Sequence, residues 1–195
     1  MSKFELKRKR IVVFGFEGKN NKTETNYFSH FEPKDSRYIF KFVSCGVTDP
    51  VNMLNSIKAK RKDYDYHASE DITLLFVDLD CDEAKKEKVK EIESKLNKDT
   101  LIIKSDPCFE LWFLNHFCFS TKEYSSNKEL INDLKKYIVD YQKNYDYFDL
   151  LEDKTETAVR NSKIQLANVD CKSKTDVPIL FDTLIKKWLF ILFCL

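Results

Sequence analysis

Apolar positions in the first hundred or so residues fall into four short runs separated by helical patterns. Ile11-Val12-Val13-Phe14-Gly15-Phe16 is unbroken, and Thr73-Leu74-Leu75-Phe76-Val77 nearly so. Runs of this kind read as strands buried on both faces, the mark of a parallel sheet. The pattern predicts strands over Arg10 to Phe16, Tyr38 to Ser44, Ile72 to Val77 and Thr100 to Lys104. Between them the apolar period lengthens to that of a helix. One helix is expected near Glu24 to Phe31, with Thr23 as N-cap. A second starts at Asp49-Pro50, a capping residue followed by a proline in the first turn. A third, highly charged, is expected over Glu83 to Leu96. Strands alternating with helices imply right-handed crossovers and a four-stranded parallel sheet flanked by helices.

After Ser105-Asp106-Pro107 the pattern changes. Phe109 to Phe119 reads as a buried helix. Ser126-x-x-Glu129 fits a capping box for a helix carrying Leu130, Ile131, Leu134, Tyr137, Ile138 and Tyr141. Further helices are expected over Glu156 to Val169 and Val177 to Phe193. The division expected is an α/β core over 1–120 and a helical extension packed on it over 121–195.

Composition changes this picture little. With 195 residues and three glycines, one compact unit is expected rather than domains on long linkers. The net charge of +1 does not announce nucleic-acid binding. A basic arm, Lys3, Lys7, Arg8, Lys9 and Arg10, reads either as a solvated tail or as phosphate attraction beside the first strand. Six cysteines form no C-x-x-C pair, so a zinc site is not expected and reduced, mostly buried thiols are. The N-terminus lacks a signal-peptide pattern, and the apolar run Trp188 to Leu195 is too short to span a bilayer. A cytoplasmic location without membrane insertion is the expectation.

Chemistry is expected at the strand ends. The first run leads into Glu17-Gly18 and the third into Asp78-Leu79-Asp80. Carboxyl ends of parallel strands are where α/β folds place their sites. On an extended segment residues i and i+2 point the same way, so Asp78 and Asp80 can share one cation. Mg²⁺ takes hard oxygen ligands, and Glu17 can be a further ligand or the base for a water. Phosphatases of the haloacid-dehalogenase type carry their D-x-D after the first strand, and receiver domains need an acidic pair there; neither order fits. A glycosyltransferase D-x-D stays open. Lys19 and Lys22, near the next helix start, are candidates for substrate phosphate, or are solvated turn lysines.

Several segments together resemble the RloB-like family. Glu17-Gly18 followed by Lys22-Thr23-Glu24-Thr25-Asn26-Tyr27-Phe28 looks like its E-G-x-K-T-E-x-x-Y-F signature, with two additional residues before Lys22. Gly46-x-x-Asp49-Pro50 and Tyr64-Asp65 ahead of Phe76-Val77-Asp78-Leu79-Asp80 match further landmarks. Ser105 to Phe117, SDPCFELWFLNHF, is close to its longest block, with Asp106 in place of the usual Asn. The resemblance implies a Toprim-like, hence Rossmann-like, core. It also implies a Mg²⁺ (or Mn²⁺) site at Glu17, Asp78 and Asp80. The setting it implies is phage defence or abortive infection, often beside an AAA or ABC-type ATPase.

Glu24 reads as a helix-dipole acid or a catalytic one. Glu110, in an apolar helix, must be paired or functional. His116 reads as a core histidine, raised to a secondary acid/base candidate by the family block. The leading expectation is a metal-dependent nuclease acting on DNA or RNA, tRNA included. Against it stand a non-catalytic Toprim-shaped adaptor regulated by the ATPase and a nucleotide or sugar-phosphate transferase. A homo-oligomer is left open.

Overall fold

The computed structural model describes residues 8–19, 22–32 and 38–182. Four strands, β1 (Arg10–Phe16), β2 (Tyr38–Ser44), β3 (Ile72–Asp78) and β4 (Thr100–Asp106), lie parallel. A fifth, β5 (Lys174–Thr175), runs antiparallel to β4. The order is β2-β1-β3-β4-β5. The expected sheet of four strands therefore gains an edge. Two residues carry no periodicity, which is why the sequence pattern missed it.

The chain leaves β1 toward β2 in one direction and continues through β3 and β4 in the other. Right-handed crossovers then require the helices to change face. They do. Helix α1 (Thr23–Ser29) packs with Phe14, Phe16 and Phe76 on one face, whereas α2 (Pro50–Arg61) and α3 (Glu83–Glu93) cover Val13, Leu75 and Val77 on the other. The reversal leaves a crevice between the carboxyl ends of β1 and β3, where such sheets bind ligands.

Close approach sets the packing of α2. A Cβ on Gly15 would stand 2.1 Å from Cδ1 of Ile57, so the absence of a side chain lets the helix settle against β1. Asp49 caps α2 by accepting from the Asn52 amide at 3.0 Å, as expected, with Pro50 in the first turn.

The remaining helices are α4 (Glu110–Asn115), α5 (Asn127–Leu134), α6 (Phe148–Leu151), α7 (Thr155–Ala167) and α8 (Pro178–Leu180). Leu130, Leu134, Ile138, Tyr141, Ala158 and Phe181 share one apolar core with the β-sheet face that carries Phe14 and Phe76. The helical extension thus has no separate core among the described residues. Its junction with α4 is polar and buried. The Asn115 side chain donates to Ser162 Oγ and Gln165 Oε1, both at 2.7 Å, and its backbone carbonyl accepts from Asn161 at 2.9 Å.

Helix ends differ from expectation. Lys22, not Thr23, is the N-cap residue of α1, and the Thr23 hydroxyl instead accepts from the Asn144 amide at 2.9 Å. The helix after Ser126 stops at Leu134 rather than reaching Tyr141. Ser126 caps it as expected, but Glu129 returns its bond to the amide and hydroxyl of Ser125. The apolar segment Phe109 to Phe119 is helical only over Glu110–Asn115. The expected helix over Val177 to Phe193 begins as α8, and its part beyond Asp182, with Trp188 to Leu195 and Cys194, lies outside the described residues. So do Lys3 and Lys7.

The five described cysteines are free thiols. No helix among the described residues is long and apolar enough to cross a membrane.

Candidate functional site

The crevice is a cavity of about 390 Å³. Five carboxylates line it: Glu17, Glu24, Asp78, Asp80 and Glu110. Glu17 follows β1 and meets Gly18, whose φ of 71° is a conformation that suits glycine. The turn is tied to the loop after β2, with Gly18 N donating to Val47 O at 3.1 Å and Gly46 N to Gly18 O at 2.9 Å. Asp78 ends β3, and its Oδ1 accepts from the Phe109 amide at 2.8 Å.

Asp80 arrives by a different route from the one expected. It is not extended. Asp80 and Cys81 take consecutive left-handed conformations, with φ of 54° and 57°. Such backbone is costly for residues with a Cβ and concentrates at functional sites. The turn is anchored by the Asp80 amide donating to Pro107 O at 2.8 Å. Both carboxylates still reach the cavity, through this turn rather than through strand alternation.

Two cations are built in. Lys85, in the first turns of α3, donates from Nζ to Glu17 Oε1 and to Asp80 Oδ2, each at 2.8 Å. Lys143 stands 3.5 Å from Glu110 Oε1, which also accepts from the Tyr141 hydroxyl at 2.9 Å. The far half of the chain contributes further. Asn127 donates to Asp80 Oδ1 at 2.7 Å, while its own Oδ1 is buried with no hydrogen-bond partner among the described residues. Asn144 closes the rim, accepting from the Lys22 amide at 2.8 Å. Asn127, Lys143 and Asn144 all line the cavity and all lie in 121–195, so the site crosses the expected boundary.

Electrostatics follow from the crowding. Burial pushes the Asp78 carboxyl well above its ordinary range, and Glu24, Glu110, Glu17 and Asp80 push the same way. Burial also raises Glu17, against the pull of Lys85. Burial alone would lower Lys85, but its bonds to Asp80 and Glu17 prevail and raise it.

Of the residues expected at a site, Glu17, Asp78, Asp80 and Glu110 meet in the cavity, and so does Glu24. His116 does not. It is 2 % exposed, its Nδ1 lies 2.8 Å from the Trp112 carbonyl and its Nε2 3.2 Å from the Tyr27 hydroxyl. Burial lowers its pKa to about 4, so it is a neutral core histidine. Lys19 and Lys22 are exposed and outside the cavity lining. Arg8 of the basic arm pairs with Asp71 at 2.7 Å, at the opposite end of the sheet from the cavity. Lys85, Asn127, Lys143 and Asn144 were not foreseen.

No group of three or more His, Cys, Asp or Glu among the described residues forms a ready-made metal cage. The donor chemistry nonetheless fits a hard divalent ion. Every acidic donor is an oxygen, Asn127 offers a buried oxygen with no hydrogen-bond partner among the described residues, and five carboxylates crowd against only the two ammonium groups of Lys85 and Lys143. Glu17, Asp78 and Asp80 are the residues that would hold it.

No curated protein and no solved structure matches the chain. The family model for RloB-like protein matches residues 12–184. That span contains all five cavity carboxylates and both lysines, and the chain belongs to the RloB-like family.

Proposed function

We propose that this chain is a Mg²⁺- or Mn²⁺-dependent nuclease with a Toprim-like core, an effector of phage defence or abortive infection acting in the cytoplasm. The observation that carries the reading is the meeting of Glu17, Asp78 and Asp80 in one crevice at the sheet's topological switch point. When bound there, a divalent ion would neutralise phosphate charge and lower the pKa of a water. Glu17, Asp78 and Asp80 would hold it. Glu110, fixed by Tyr141, would hold or release a proton beside the phosphodiester. Lys143 would attract the phosphate group, replacing Lys19 and Lys22 in that role. The near-neutral net charge argues for help from a partner, an AAA or ABC-type ATPase or a second copy of the chain, in gripping DNA, RNA or tRNA.

The test is incubation of the protein, alone and with its ATPase, with labelled plasmid, single-stranded DNA and total tRNA. Mg²⁺, Mn²⁺ or EDTA is present, with Asp78→Ala as control. Cleavage that needs the metal and loses about a thousandfold or more in Asp78→Ala is expected. Absence of cleavage under every condition, partner and phage signal included, contradicts it.

A second reading is favoured by the Lys85 ammonium between Glu17 and Asp80: an adaptor whose carboxylates are permanently neutralised. It predicts that Asp78→Asn and Asp80→Asn leave partner binding and defence intact.

A further inference from the structure

Lys85 is the one cation that touches two of the three carboxylates proposed to hold the metal, among the described residues. Its side chain is only 12 % exposed, and its two bonds are of full hydrogen-bond strength at 2.8 Å each. It comes from α3, whose N-terminus is fixed by Asp82, which accepts from the amides of Ala84 and Lys85. The next residue, Lys86, is fixed to Asp106 at 2.7 Å. The helix start is therefore held from two sides, and the Lys85 ammonium is delivered between Glu17 and Asp80 by a rigid element. Lysine differs from arginine here: its four-carbon stem is flexible and its charge compact, so it can withdraw without moving the helix.

The geometry points to Lys85 as a resident counter-cation that competes with the divalent ion for Glu17 and Asp80. This rests on the metal reading of the same site. Lys85 occupies Glu17 Oε1 and Asp80 Oδ2, oxygens that the ion needs. Loading the ion requires the ammonium to leave both carboxylates. The lysine thereby weakens metal affinity and, in the absence of metal, holds together carboxylates that would otherwise repel.

The experiment measures Mn²⁺ binding by titration calorimetry and thermal unfolding in EDTA. It uses the full chain as wild type, Lys85→Met, Lys85→Arg and Asp78→Asn. Lys85→Met is expected to bind Mn²⁺ about tenfold tighter or more, since an ammonium bonded to two ligand carboxylates is no longer displaced. It is also expected to unfold at a lower temperature in EDTA and to recover with Mn²⁺. Lys85→Arg keeps the charge and is expected to bind no tighter than wild type, which also serves if Lys85→Met does not fold. Binding by Lys85→Met alone, with none by wild type, supports the competition in its strongest form. Equal or weaker binding by Lys85→Met than by wild type, or tighter binding by Lys85→Arg, overturns the role of Lys85 and leaves the metal site standing. Absence of Mn²⁺ binding by every form overturns both, and binding undiminished in Asp78→Asn removes the metal from this crevice.

Discussion

At the scale of single residues, the site is a contest between burial and charge. Glu17, Asp78 and Asp80 were legible because acidic residues directly after buried strands are conspicuous against the apolar run. Lys85 was not, because Glu83 to Glu93 carries many charges and nothing in their spacing says which lysine turns inward. Asn127 and Lys143 lie far along the chain, and only the folded path brings them to Asp80 and Glu110. His116 was legible as a residue and ambiguous as a role; the Tyr27 and Trp112 contacts decide it. Its folded pKa of about 4 lies below the ordinary 6.5. The unfolded chain therefore binds the extra proton first as pH falls. The stability that neutral His116 contributes is complete above about pH 6.5 and is lost progressively as pH drops toward 4. The loss amounts to about 3 kcal/mol. Urea unfolding at neutral and acid pH should show it, and His116→Gln should flatten that slope; an unchanged slope would contradict the assignment.

At the scale of elements, the strands are more legible in the sequence than the helices. β1 and β2 have the predicted bounds because an unbroken apolar run ends sharply at Glu17, and a second run, apolar and aromatic apart from Lys41, ends at Ser44 ahead of Cys45-Gly46. Helices α4 and α5 stop short of their apolar patterns, since Phe117, Ile138 and Tyr141 reach the same core from outside regular helix. Apolar spacing reports burial, and burial does not require a helix. The turn at Asp80-Cys81 was invisible for a related reason: left-handed backbone is anticipated at glycine, and here it falls on residues with a Cβ. The contact between α2 and β1 makes its own prediction. Gly15→Ala places a methyl against Ile57 and should destabilise by about 1–3 kcal/mol through overpacking. Gly15→Ala combined with Ile57→Val should recover part of it in denaturant titrations; equal stability of Gly15→Ala and wild type would mean that the Ile57 side chain turns aside without cost.

At the scale of the whole molecule, the crevice belongs to both halves of the chain. The sheet supplies the carboxylates through its switch point, and the helical half supplies Asn127, Lys143 and Asn144 through the core it shares with the sheet. A boundary near residue 120 describes a change of pattern rather than a division of labour. The central claim is that this shared crevice gathers negative charge in order to hold a divalent cation. Asp78 carries that claim most directly. Its ionisation is opposed by burial and by four neighbouring carboxylates, so without metal the charge weakens the fold. Asn keeps an oxygen for the Phe109 amide and removes the charge. The decisive measurement is thermal unfolding of wild type and Asp78→Asn, each in EDTA and in Mn²⁺. In EDTA, Asp78→Asn should melt higher by about 2–4 °C, the shift that roughly 1 kcal/mol gives a chain of this size. Mn²⁺ should raise the Tm of wild type and leave Asp78→Asn almost unmoved. An equal response of both proteins to Mn²⁺, or a lower Tm for Asp78→Asn in EDTA, would contradict the account.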